Sequence, residues 1–159
     1  MHKVYLLLGS NLGDSAEQLK HAKGQITKLI GNITKESSFY STAAWGNTSQ
    51  PDFLNQIVVV TTTLTPELLL DTILQIEKDM GRVRNIKNDP RIIDIDIIFF
   101  AKKIIQKENL TIPHPLLQER NFVLVPLHEL SPNFIHPVLK KTVHQLLKTC
   151  KDKLAVQKK

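Results

Sequence analysis

Asp94-Ile95-Asp96, set inside the apolar run 92–100, is where residue type and spacing first suggest chemistry. Residues two apart on a strand share a face, which puts the two carboxylates side by side, roughly 6–7 Å apart. Apolar neighbours make that arrangement costly, because each anion loses water and repels the other. A divalent cation relieves both costs, and Mg2+ favours one or two carboxylates completed by water and phosphate oxygens. A strand edge with two solvated acids is the competing reading.

Arg82, Arg84, Lys87 and Arg91 lie just ahead of this pair. Guanidinium forks beside a carboxylate pair suit a metal-bound polyphosphate. A solvated loop that neutralises the aspartates directly fits equally well. Pro113-His114-Pro115 and Arg120 add a histidine held between prolines and a further cation, either of which could stabilise charge on a transferred group. A lone histidine of this kind is otherwise an ordinary surface or core residue. Phe53 and Asn55 share a strand face, and with Trp45 and Phe122 they could stack on a flat heterocycle and read its edge. Core packing is the plain alternative. Gly9-Ser10-Asn11-Leu12-Gly13 lacks the Gly-Lys-Ser/Thr ending of a phosphate loop and reads as a tight turn.

The elements that must position these residues follow from periodicity. Val4 to Leu8 is a buried strand, and a helix runs from about Ala16 to Ile30, capped by Ser15 with Gln18 and closed by Gly31-Asn32. Residues 33–40 and 53–64 are strands flanking a loop, 41–52, of the length that is often functional. Thr65-Pro66-Glu67 opens a second helix that Gly81 stops. After the basic loop come a strand at 92–100, a small hairpin at 104–112, a mostly helical stretch at 116–130 and a short helix at 142–150. The order is βαββαβ. It predicts an α+β, ferredoxin-like antiparallel sheet with helices on one face and a C-terminal helical extension.

A single domain over 1–159 suits the length, and 42% apolar residues can fill its core. The net charge of +6 sits entirely in residues 140–159, with seven lysines and one aspartate, while the rest of the chain balances to zero. That distribution predicts a frayed, solvated Lys-rich end rather than a nucleic-acid surface. The single cysteine, Cys150, and a start without signal-peptide layout point to the cytoplasm, with no membrane partner.

In order along the chain, Gly9–Gly13, Ser38-Phe39-Tyr40-Ser41-Thr42, Gln50–Asn55, Glu77 with Gly81-Arg82, Pro90-Arg91 with Asp94-Ile95-Asp96, Pro113-His114-Pro115 and Arg120-Asn121-Phe122 resemble the 6-hydroxymethyl-7,8-dihydropterin pyrophosphokinase family. The resemblance covers residues 4 to 137 or so. It implies diphosphate transfer from ATP to the hydroxymethyl pterin, with release of AMP, in folate biosynthesis. It further implies that Asp94 and Asp96 ligate two Mg2+ ions, that Arg82 and Arg91 act catalytically on the phosphates, and that Glu77, Arg84, Lys87, His114 and Arg120 attend the ATP. Phe53 and Phe122 would sandwich the pterin, Asn55 would bond its edge, and Thr42, Ala43 and Trp45 would line it. The 41–52 and 82–91 loops would close over both substrates. The length, without a fused domain, predicts a monomer.

Asn88-Asp89 stands where the family often has an aromatic and a glycine, Asn85 where it often has a base, and Phe53 where tyrosine is frequent. An RNA-binding module and a non-catalytic metabolite-binding domain are the readings from other classes. The neutral body of the chain argues against the first.

Overall fold

The computed structural model describes residues 1–43, 50–82 and 91–159. Its centre is β1 (His2–Ser10), which pairs antiparallel with β4 (Phe53–Thr62) on one side and β5 (Asp94–Phe100) on the other. β2 (Gly31–Glu36) and β3 (Tyr40–Thr42) both pair with β4, so the predicted strand at 33–40 is two shorter strands. A separate hairpin joins β6 (Ile105–Lys107) and β7 (Leu110–Ile112).

β1 is buried on both faces, and its alternating side chains enter different cores. Val4, Leu6 and Leu8 pack with Leu19 and Ile26 of α1 (Ser15–Leu29) and Leu69, Ile73 and Ile76 of α2 (Pro66–Asp79). Tyr5 and Leu7 pack on the opposite face with Val123, Leu124 and Leu127 of α3 (Asn121–Leu130) and Val143 and Leu146 of α4 (Val143–Thr149). The first two helices thus share one face, as expected, and the C-terminal extension covers the other. Each fully buried Leu or Ile adds about 1.5–3 kcal/mol relative to exposure.

The helix ends correct two sequence expectations. Asp14, not Ser15, caps α1, its carboxylate accepting the Glu17 N–H at 3.2 Å. Gly31 is the first residue of β2, and a Cβ there would lie 1.9 Å from the Thr61 carbonyl oxygen. Gly81, with φ +96, ends α2 in the left-handed region that glycine tolerates. Thr65 caps α2 as its sequence predicts, and Thr142 caps α4.

The Lys-rich end is not frayed. Residues 156–158 form β8 (Val156–Lys158), which pairs with β3 at the sheet edge. Lysines at 151, 153, 158 and 159 are exposed, while Asp152, Leu154 and Val156 turn inward. Positive charge therefore marks only the outer side of this segment.

Candidate active site

A cavity of about 290 Å3 opens on the sheet face that meets α3 and α4. Asp94 and Asp96 both line it, as period-two alternation requires, with Ile95 turned into the opposite core. On the neighbouring strand Gly9 pairs with Asp94 and Leu7 with Asp96. Across Gly9, on β4, is Asn55. These cross-strand rows make the sheet itself the floor.

The arginines come from two directions. Arg82 follows directly on the Gly81 turn and donates Nη1 to Asp94 Oδ1 at 2.7 Å and to Glu77 Oε2 at 2.8 Å. Arg91 donates Nη1 to Asp94 Oδ2 at 3.3 Å, and its guanidinium lies 5.9 Å from the Phe53 ring centre. Burial acts against the Arg82 charge, but Asp94 and Glu77 outweigh it and hold the guanidinium above its ordinary value. Arg120 is drawn below its ordinary value, chiefly by burial, with Asp96 opposing.

Glu77 lies beneath the cavity, 1% exposed, and is absent from its lining. Its Oε2 accepts the Ile95 N–H at 2.8 Å as well as Arg82. It thereby fixes β5 and Arg82 to the end of α2.

Burial, then the Asp94 charge, then Glu77 push the Asp96 carboxyl up to about 8. Such a group favours either a proton or a cation. Two carboxylates on one face of a cavity, one of them penalised for its charge, form the donor set that Mg2+ accepts when phosphates and water complete the shell. Among the described residues no group of three or more His, Cys, Asp or Glu could hold a metal by itself.

His114 follows β7 and lines the same cavity. Burial, then Arg120, lower its imidazole to about 4, so it is neutral at pH 7. Its Nδ1 accepts the Leu116 N–H at 3.2 Å, which leaves the ring proton on Nε2. That N–H is a neutral donor suited to a phosphate oxygen.

Phe53, Asn55, Thr42, Ala43 and Phe122 also line the cavity. Asn55 is 3% exposed and donates Nδ2 to Thr42 Oγ1 at 2.9 Å, which leaves its Oδ1 toward the space above Gly9. Trp45, Arg84 and Lys87 lie outside the described residues, as do Asn85, Asn88 and Asp89.

Sequence reasoning misses Gly9, Leu7 and Asn11. Gly9 is expected in a turn but belongs to β1, where any side chain would protrude into the cavity. Asn11 is 3% exposed and exchanges two bonds with Arg91: Asn11 N–H to the Arg91 carbonyl at 3.1 Å, and Arg91 N–H to Asn11 Oδ1 at 2.8 Å. Its Nδ2 also donates to Gln50 Oε1 and the Pro51 carbonyl, each at 3.1 Å. Asn11 therefore ties residues 50–51 to Arg91. Its place after a buried strand, in a Gly-Ser-Asn run, is the one signal that could have found it.

Acids, arginines, aromatics and an amide line this one cavity, with Arg91 against the Phe53 ring and Arg120 against the Phe122 ring. Such a combination suits an enzyme that hands phosphate groups to a flat, polar acceptor, so the chain classes as a transferase. The family model for 7,8-dihydro-6-hydroxymethylpterin-pyrophosphokinase (HPPK) matches residues 5–132. The 2-amino-4-hydroxy-6-hydroxymethyldihydropteridine pyrophosphokinase of Aquifex aeolicus is 39% identical over 145 residues, which cover 91% of this chain and 90% of that protein. The folic acid synthesis protein FOL1 of Dictyostelium discoideum is 44% identical over 143 residues, but the match spans only 22% of its length. The crystal structure of Plasmodium falciparum HPPK-DHPS with pteroate matches with a TM-score of 0.76 at 19% identity, over 92% of this chain and 42% of that one, a likeness of fold. The chain belongs to the HPPK family, the ATP-dependent pyrophosphokinases of folate biosynthesis.

Proposed function

We propose that this chain transfers diphosphate from ATP to the hydroxymethyl group of 6-hydroxymethyl-7,8-dihydropterin and releases AMP. The observation that carries the reading is the cavity of about 290 Å3 that Asp94, Asp96, Arg82 and Arg91 share with Phe53, Asn55 and Phe122.

The hydroxymethyl oxygen attacks the β-phosphorus of ATP. The bond from that phosphorus to the oxygen bridging the α-phosphate breaks, AMP leaves with that oxygen, and the hydroxyl proton passes to water. Phe53 and Phe122 hold the pterin plane and Asn55 bonds its edge, which aims the hydroxymethyl group along the cavity. Arg82, Arg91, Arg120 and the Nε2–H of His114 hold the phosphates, where charge on the transferred group needs fixed donors. Asp94 and Asp96 would hold two Mg2+ ions, which when bound neutralise phosphate charge. Glu77 serves from beneath by keeping Arg82 in place.

The ferredoxin-like reading of the topology is part of this proposal. It is supported by β2 and β3, which both pair with β4 as two pieces of one strand. A single domain over 1–159 is supported by α4, which packs in the second core, and by β8, which joins the sheet. A monomer in the cytoplasm, without nucleic-acid or membrane partners, completes the reading. The single cysteine agrees with that compartment. Among the described residues no helix is long and apolar enough to cross a membrane.

Incubation with ATP, Mg2+ and the hydroxymethyl dihydropterin tests the proposal. Formation of AMP and the pterin diphosphate in equal amounts supports it. Bound pterin without AMP, or ADP as the nucleotide product, refutes it.

A further inference from the structure

Two residues that line the cavity, Arg120 and Phe122, sit at the start of α3. The N-cap of that helix is Arg120, whose side chain makes no capping bond. The first N–H groups of a helix have no acceptor within it. Here the acceptor comes from 31 residues further along the chain: Asn121 donates its backbone N–H to Asp152 Oδ2 at 2.8 Å. The Asn121 side chain answers by donating Nδ2 to the Asp152 carbonyl at 2.9 Å. The remaining carboxylate oxygen accepts the Leu154 N–H at 3.0 Å, which fixes the turn that presents the carboxylate.

The same segment reaches the opposite wall. Four residues beyond Asp152, Val156 pairs with Thr42, the residue that accepts the Asn55 amide. Residues 152–158 therefore connect the start of α3, which carries Phe122, to β3, whose Thr42 holds Asn55. This segment lies outside the 5–132 stretch that the family model matches.

We propose that Asp152 is a positioning residue for the pterin. It caps α3 from outside the helix and so holds Phe122 at the angle that stacks on the ring. This rests on the assignment of Phe122 to the pterin. Asp152 touches no substrate. Its effect passes through Asn121 to the first turn of α3.

The test is a set of steady-state KM values for hydroxymethyl dihydropterin and for ATP, with melting curves, on the full chain. Asp152→Ala should raise the pterin KM about five-fold, the size expected for a lost cap. Its kcat should stay within about two-fold of the parent, and its ATP KM should change less than the pterin KM, since the Asp152 charge also acts on Arg120. Asp152→Asn keeps one of the two oxygen acceptors without the charge and should return the pterin KM part of the way, to within about three-fold. In a Phe122→Ala background, Asp152→Ala should add nothing to the pterin KM. A lowered melting temperature with an unchanged pterin KM overturns the proposal. So does an effect confined to ATP, or one of equal size in the Phe122→Ala background. If Phe122→Ala itself leaves the pterin KM unchanged, the placement of the pterin fails and the proposal with it. If Phe122→Ala raises it and Asp152→Ala does not, only the role of Asp152 fails.

Discussion

Gly9 and Asn55 face each other across β1 and β4, and the missing side chain of the first leaves room for the second. A Cβ on Gly9 would lie 2.9 Å from Asn55 Oδ1. Gly9 also pairs with Asp94 on its other side, so it lies between that carboxylate and the amide proposed to read the pterin.

Gly9→Val should therefore place a branched side chain where the ring edge is proposed to lie. Pterin affinity should fall about ten-fold or more, the effect of losing a buried polar contact in a shaped pocket. Direct titration with the pterin checks this. Unchanged affinity would remove Gly9 from the floor of the site.

The pH dependence of stability should carry the signature of Asp96. Its folded carboxyl holds a proton more tightly than the unfolded value of 3.8, with a folded value of about 8. Such a group favours folding fully below about pH 4, and that contribution is lost as pH rises through 8. His114 acts at the other end. Its lowered value favours folding above 6.5 and loses that contribution as pH falls through 4. Melting curves in EDTA should show the advantage of Asp96→Asn over the parent growing from pH 5 to pH 9. An advantage that shrinks over that range would contradict the assignment.

Glu77 should matter for stability and activity together. Glu77→Ala removes the acceptor of the buried Ile95 N–H and one anchor of Arg82, for a cost of about 1–3 kcal/mol. Glu77→Gln keeps an oxygen acceptor and should cost less in denaturant unfolding. Both should slow AMP release, because Arg82 loses a charged partner. Equal unfolding midpoints for the parent and Glu77→Ala would refute this role.

Much of the site is legible in the sequence because strand alternation is a local rule. It puts Asp94 with Asp96 and Phe53 with Asn55 from spacing alone, and Thr65 and Gly81 mark the bounds of α2. What escapes depends on contacts distant in sequence. Glu77 reads as a helix residue near the nucleotide, and only the packing of α2 on β5 shows it beneath the arginines. Gly9 follows a buried run and resembles a turn, because nothing local tells a strand glycine from a turn glycine. The tail misleads because its charges are counted easily and its direction is not. Every second residue from Asp152 to Val156 faces inward, a pattern too short to outweigh five nearby lysines. The cap of α3 is invisible for the same reason, since its donor and acceptor are 31 residues apart.

The paired acids are tested most directly by AMP release from Asp94→Asn and Asp96→Asn at saturating ATP, Mg2+ and pterin, with melting curves to confirm folding. Turnover should fall about 100-fold or more in each, while the folded fraction is preserved. Near-parental AMP release by either variant would contradict the assignment of both carboxylates to the metal-bound phosphates.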